Sequence, residues 1–172
     1  ASTILDDALD SLEGMPLARL ELSHSAVADL ASLAGMPLVL LKVEGTSVRD
    51  LTPLRGMPLK CLDISHTRVT DIAPLKGMPL VELHMNCARV TDLSPVEGLP
   101  LKQLGLLDVP VRDLSPVSKC LQLESLVIPA GVGNVESLRN LPRLRLLNNR
   151  APDEFWRDFG SPATNRPAGA AR

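Results

Sequence analysis

The chain has 172 residues, 45% hydrophobic and 22% charged, a composition that suits one folded domain and excludes a disordered chain. A formal net charge of -2 excludes the basic excess that nucleic-acid binding normally requires. No run of about 18 apolar residues exists, so no transmembrane helix and no membrane partner are expected.

The first residues, Ala1-Ser2-Thr3-Ile4, show neither a basic start nor a long apolar stretch, so no signal peptide is visible. Leu9, Leu12 and Gly14 fall in phase with Leu30, Leu33 and Gly35 further on, but no strand precedes them. Residues 1–13 therefore read as a partial repeat, as in a fragment of a longer protein, or as an N-terminal cap with a short helix over 5–13.

From residue 14 the chain repeats. Gly-Met-Pro-Leu occurs at 14–17, 35–38, 56–59 and 77–80, and Gly98-Leu99-Pro100-Leu101 follows in phase, a period of 21. The unit reads L-x-x-L-x-L-x-x-T-x-V-x-D-L-x-P-L-x-G-M-P. Its clearest copy is Leu59, Leu62, Ile64, Thr67, Val69, Asp71, Ile72, Pro74, Leu75 and Gly77. The L-x-L alternation sets both leucines on one side of a short strand. One such strand cannot bury them alone, whereas parallel stacking at roughly 4.8 Å makes a continuous core. Strands are expected near 19–22, 40–43, 61–64, 82–85, 103–106, 125–128 and 145–147.

Asp29, Asp50, Asp71, Asp92 and Asp113 occupy N-cap positions of the return segments, and a proline follows three residues later in four of the five copies. Each return should be a short 3₁₀ or single-turn helix, since Asp accepts an early amide and Pro lacks one. After residue 114 the pattern loosens. Leu123, Leu126 and Ile128 sit one residue late, 129–134 lacks the Asp turn, and Val135, Leu138, Leu141, Leu144 and Leu147 recover the spacing. Repeats are thus expected over 14–150.

Residues 151–159 hold the only aromatics, Phe155, Trp156 and Phe159, on a helical turn after Pro152. They read as a C-terminal aromatic cap that closes the last rung, with an exposed anchor for a partner as the alternative. Residues 160–172 have the composition of a disordered tail.

The repeated unit resembles the leucine-rich-repeat family. The motif L-x-x-L-x-L-x-x-N is matched over residues 1 to about 150, with Asn replaced by Ser25, Thr46, Thr67, Ala88 and Val109. The D-L-x-P-L half and the G-M-P-L junction look like bacterial repeat arrays appended to planctomycete-type serine/threonine kinases. The resemblance implies an α/β solenoid. Its chain would form a right-handed superhelix, with a parallel β-sheet on the concave side and 3₁₀ or helical turns on the convex side. It also implies a protein-protein interaction module, monomeric, without catalysis or cofactor, that binds a protein partner through the concave face. Two other readings are a regulatory or sensor segment of a larger bacterial kinase or other multidomain protein, and a structural spacer with no specific partner.

Outward strand positions supply the candidate partner-binding residues: Arg19, Glu21, Lys42, Glu44, Asp63, Glu82, His84, Asn86 and Gln103. Ser23, Leu40, Cys61, Ser65, Gly105, Leu107, Ser125 and Val127 share that face. It is mixed in charge and lacks the Trp and Tyr that anchor tight interfaces, so a modest polar interface or a merely solvated face is expected. The Asp column is explained by capping and lacks the Gly-rich, multi-carboxylate loop of a calcium site. His24, His66, His84, Cys61 and Cys87 fall on neighbouring rungs without C-x-x-C or H-x-x-x-H spacing, so no metal site is expected. A Cys–His catalytic pair from these residues would need a cleft that a shallow face does not supply. Gly131-Val132-Gly133 lacks the third glycine of a phosphate loop. Cys61, Cys87 and Cys120 read as free thiols in a reducing compartment, which favours a cytoplasmic location.

Overall fold

The computed structural model describes residues 9–159. Seven strands form one parallel sheet in chain order: β1 (Arg19–Glu21), β2 (Leu40–Lys42), β3 (Cys61–Asp63), β4 (Glu82–His84), β5 (Gln103–Gly105), β6 (Ser125–Val127) and β7 (Leu146–Leu147). One leucine column runs through the middle: Leu20, Leu41, Leu62, Leu83, Leu104, Leu126 and Leu147 are register partners in turn. The step from Leu104 to Leu126 is one residue longer than the others, where the sequence shows its insertion. Backbone pairing continues past the strand ends, as Val43 N–H donates to the Asp63 carbonyl at 2.9 Å and Ile64 N–H to that of His84 at 2.8 Å.

The second leucine of L-x-L and the valine, leucine and methionine columns of the return side close a single core. Leu41, Val43, Val48, Leu54 and Leu59 are all 0% exposed. Each buried leucine or valine contributes about 1.5–3 kcal/mol, so the stack is held chiefly by these columns.

The returns are 3₁₀ helices: η1 (Ala31–Leu33), η2 (Thr52–Leu54), η3 (Ala73–Leu75), η4 (Ser94–Val96), η5 (Val117–Lys119) and η6 (Val135–Asn140). The aspartates lie one residue earlier than expected. Leu30, Leu51, Ile72 and Leu93 are the N-caps of η1–η4, with no side-chain bond of their own. Each Asp Oδ1 instead accepts the amide two residues on, at 2.8 Å, closing an Asx turn. The reason is geometric: the apolar residue after Asp must point into the core, so the helix begins behind it. Pro53, Pro74 and Pro95 fall inside the first turn, where no amide partner is lost. The copies end on Gly14, Gly35, Gly56, Gly77 and Gly98, whose φ of 73–74° is left-handed and suits glycine.

Where the family places Asn, Thr46 and Thr67 donate their hydroxyls to the Val43 and Ile64 carbonyls at 2.6 Å. Ser25 holds a buried hydroxyl with no partner. Ala88 and Val109 fill the same position with apolar atoms.

Beyond β6 the Asp turn is replaced by Asn134, left-handed at φ 62°. Its amide donates to Asp113 Oδ1 at 3.0 Å and Ser115 Oγ at 2.7 Å, tying η6 to the preceding turn. The C-terminal helix, Pro152–Phe159, packs Phe155 and Trp156 against the core. The Arg139 guanidinium lies 4.2 Å over the Trp156 ring, and Arg150 reaches Asp158 at 2.7 Å. No helix among the described residues is long and apolar enough to cross a membrane. The expected tail at 160–172, and residues 1–8 of the N-terminal segment, lie outside the described residues.

Candidate functional site

Two side-chain columns face outward from the sheet. The first runs Arg19, Leu40, Cys61, Glu82, Gln103, Ser125, Leu146; the second runs Glu21, Lys42, Asp63, His84, Gly105, Val127. The leucine between them is buried in every rung from β2 to β7, so alternation along the strand alone sends these residues out. Arg19, Glu21, Lys42, Asp63, Glu82, His84 and Gln103 therefore share one surface. Glu44 and Asn86 lie two residues past the ends of β2 and β4, half-buried, at the rim of that surface.

The charged half is internally linked. Lys42 Nζ lies 3.3 Å from Glu21 Oε1, with both side chains well exposed, an arrangement that contributes only about 0–1 kcal/mol. Cys61 Sγ donates to Glu82 Oε2 at 3.5 Å. Burial, and then the Glu82 carboxylate, push the Cys61 thiol up to about 11, so it is protonated and not nucleophilic at neutral pH. Burial does the same to Cys120, also to about 11.

The rim is built from side chains that serve the backbone. Asp63 Oδ1 accepts the Ser65 amide at 2.9 Å, Ser65 Oγ the Asn86 amide at 3.2 Å, and Asn86 Oδ1 the Leu107 amide at 2.9 Å. Of the residues named from sequence as partner-binding, Asp63 thus already closes its own rung's turn and Asn86 already ties its rung to the next. A Cβ at Gly105 would meet Asn86 Oδ1 at 2.9 Å and His84 Nδ1 at 3.1 Å, so any larger residue there would make those two side chains shift.

His24, Gly45, His66, Cys87 and Asp108 form a further column, all left-handed with φ of 54–66°. It is a turn position. At Gly45 a Cβ would sit 2.4 Å from His24 Nδ1, so His24 lies over the next rung's backbone. Among the described residues no group of three or more His, Cys, Asp or Glu is placed to hold a metal ion.

Sequence reasoning missed the gradient along the face. Toward β7 the outward residues turn neutral and apolar: Leu107 is 47% exposed and Leu146 43%. This end adjoins an open cleft of about 470 Å³ lined by Ile128, Pro129, Val132, Phe155 and Phe159, with Asn148, Arg150 and Asp158 among its polar groups. The outward register of Leu107 and Val127 was readable; the cleft depends on how the last return folds, which no repeat position encodes.

No protein-family model and no curated protein matches the chain. Solved structures do. Internalin C2 of Listeria monocytogenes is similar at 26% identity and a TM-score of 0.67, over 86% of this chain and 76% of that one. Internalin F of the same organism shares the fold at 22% identity and a TM-score of 0.57, over 82% of this chain and 48% of that one. With seven parallel strands and 3₁₀ returns, the chain is a leucine-rich-repeat solenoid.

Proposed function

We propose that this chain is a protein-binding module and that its partner lies along the outward face of the sheet. The observation that carries the reading is the contrast between columns. The inward column is leucine in every rung, while the two columns beside it vary in size and charge at each step. Apart from Asp63 and Gly105, which serve the framework, stacking does not require the side chains of these columns, which leaves them for recognition. Seven strands at roughly 4.8 Å give a face about 29 Å long, suited to an extended segment or a small domain. Its partner would set charged groups against Arg19 to Glu82 and an apolar group against Leu107, Val127 and Leu146. The likeness to internalin C2 supports a repeat module of this kind. A shallow face whose Cys61 thiol stays protonated favours binding over catalysis.

The test is reversal of charge on the face: Lys42→Glu, Glu82→Lys and His84→Glu in one chain. A partner captured by the unaltered protein should be lost from this variant and retained by Arg55→Glu with Lys76→Glu on the return side. Retention by the triple variant, with loss from the return-side pair, would move the site to the other face.

A further inference from the structure

The central rungs carry arginines that form no salt bridge with any described residue. Val48, Val69 and Val90 are buried on the flank between sheet and returns, so alternation turns their neighbours outward. Arg68 N–H donates to the Val48 carbonyl and Arg89 N–H to that of Val69, each at 3.0 Å. Arg68 and Arg89 therefore occupy the same position on successive rungs, roughly 4.8 Å apart along the stack. Arg49 and Thr70 hold the next outward position of their own rungs. Arg49, Arg68, Thr70 and Arg89, all exposed, line one open depression of about 450 Å³.

The neighbouring carboxylates each bond within their own return. Asp50, Asp71 and Asp92 each turn Oδ1 to an amide of their own return at 2.8 Å. Among the described residues none of the three arginines makes an ion pair or a side-chain hydrogen bond. Three cationic side chains thus line one depression without a salt bridge to any described residue, on a chain whose net charge is -2. They repel one another, and an anion seated between them would relieve that repulsion.

The geometry points to an oxyanion site in this depression, one that takes a tetrahedral phosphoryl or sulfuryl ester group. Each guanidinium is a planar fork that can give two parallel N–H bonds to two oxygens of such a group. The Thr70 hydroxyl adds a donor beside them. The repeats contain no aromatic side chain to stack a base, so a simple ester fits the site better than a nucleobase. The site lies off the outward sheet face and stands or falls independently of the protein-binding reading.

The probes are phenyl phosphate and phenyl sulfate, titrated into the full chain at low ionic strength. Nitrogen-15 NMR reads the Thr70 amide and the Nε–H signals of the three arginines. The expected result is saturable shifts at these four residues, with the tighter probe naming the ester. Arg49→Gln, Arg68→Gln and Arg89→Gln together should weaken binding by about tenfold or more. An Arg55→Gln, Lys76→Gln chain, which removes two charges elsewhere, should bind unchanged. Shifts that stay linear for both probes, or a Gln triple variant that binds as the parent does, would overturn the site. A triple Lys variant with parental affinity would overturn the fork geometry.

Discussion

From Leu38 to Gly98 successive rungs run through the same turns; after Leu114 no two rungs return in the same way. In the first region each strand is followed by a left-handed residue, an Asx turn, a three-residue 3₁₀ helix and a left-handed glycine. In the second, η5 starts behind Pro116, η6 lengthens to six residues, and Asn134 stands where an Asp turn would be. Yet β5, β6 and β7 still pair in parallel through Leu104, Leu126 and Leu147. The leucine column and the sheet are therefore sufficient for stacking. The turn motif decides something else: where it breaks down, the last return opens the cleft beside Phe155.

The sharpest way to break that contrast is to remove one leucine from each region. Leu62 and Leu147 are both 0% exposed, but Leu62 lies between two strands, whereas Leu147 has a strand on one side and only the single bridge to Arg150 besides. Leu62→Ala should cost about 2–5 kcal/mol by urea denaturation, and Leu147→Ala clearly less. Equal losses would show that the end rung is as constrained as the middle.

Next in size is Trp156→Ala. If the C-terminal helix closes the last rung, the loss should fall below the about 3–5 kcal/mol of a fully packed aromatic. Hydrogen exchange should quicken in β6 and β7 and stay nearly unchanged in β1–β4, because repeat energetics are nearest-neighbour. An unaltered melting temperature, with a partner interaction lost instead, would make the aromatics an exposed anchor.

A finer comparison sets a rung of the regular region against the rung that precedes that region. Thr67→Ala removes a buried hydroxyl bonded to Ile64 and should cost about 1 kcal/mol. Ser25→Ala removes a buried hydroxyl with no partner and should be neutral or stabilising by up to about 1 kcal/mol. Matched thermal melts of the two variants check the opposite signs.

The smallest effect is on pH. Thr52 hydroxyl and amide hold the Asp50 carboxyl below its ordinary 3.8; Ser94 amide and hydroxyl do this for Asp92, and Ser115 with Asn134 for Asp113. Depressed folded values mean that the stabilisation is complete above 3.8 and fades as pH falls through the folded values. The urea midpoint should therefore decline below that pH, and Asp50→Asn with Asp92→Asn should flatten the decline. These groups are solvent-exposed, so the change is slight.

Much of this was legible because the period fixes the register. Once Leu41 and Leu62 are known to be equivalent, strand positions, outward columns and the insertion before Leu126 all follow. The Asp turn was misplaced by one residue because a cap and an Asx turn demand the same side chain, and only the inward apolar residue tells them apart. The left-handed column at 24, 45, 66, 87 and 108 carried one signal, Gly45, set among residues that tolerate the turn less readily. The arginine depression spans two columns and three rungs, so no single repeat contains it. The cleft beside Phe155 arises where the repeat fails, beyond the reach of a period.

The central claim is that recognition belongs to the outward sheet face, and a photo-crosslinking amino acid placed singly at His84, Gln103, Arg55 and Lys76 tests it most directly. With a captured partner present, crosslinks from His84 and Gln103 and none from Arg55 and Lys76 are the predicted result. Crosslinks confined to Arg55 and Lys76 would contradict it.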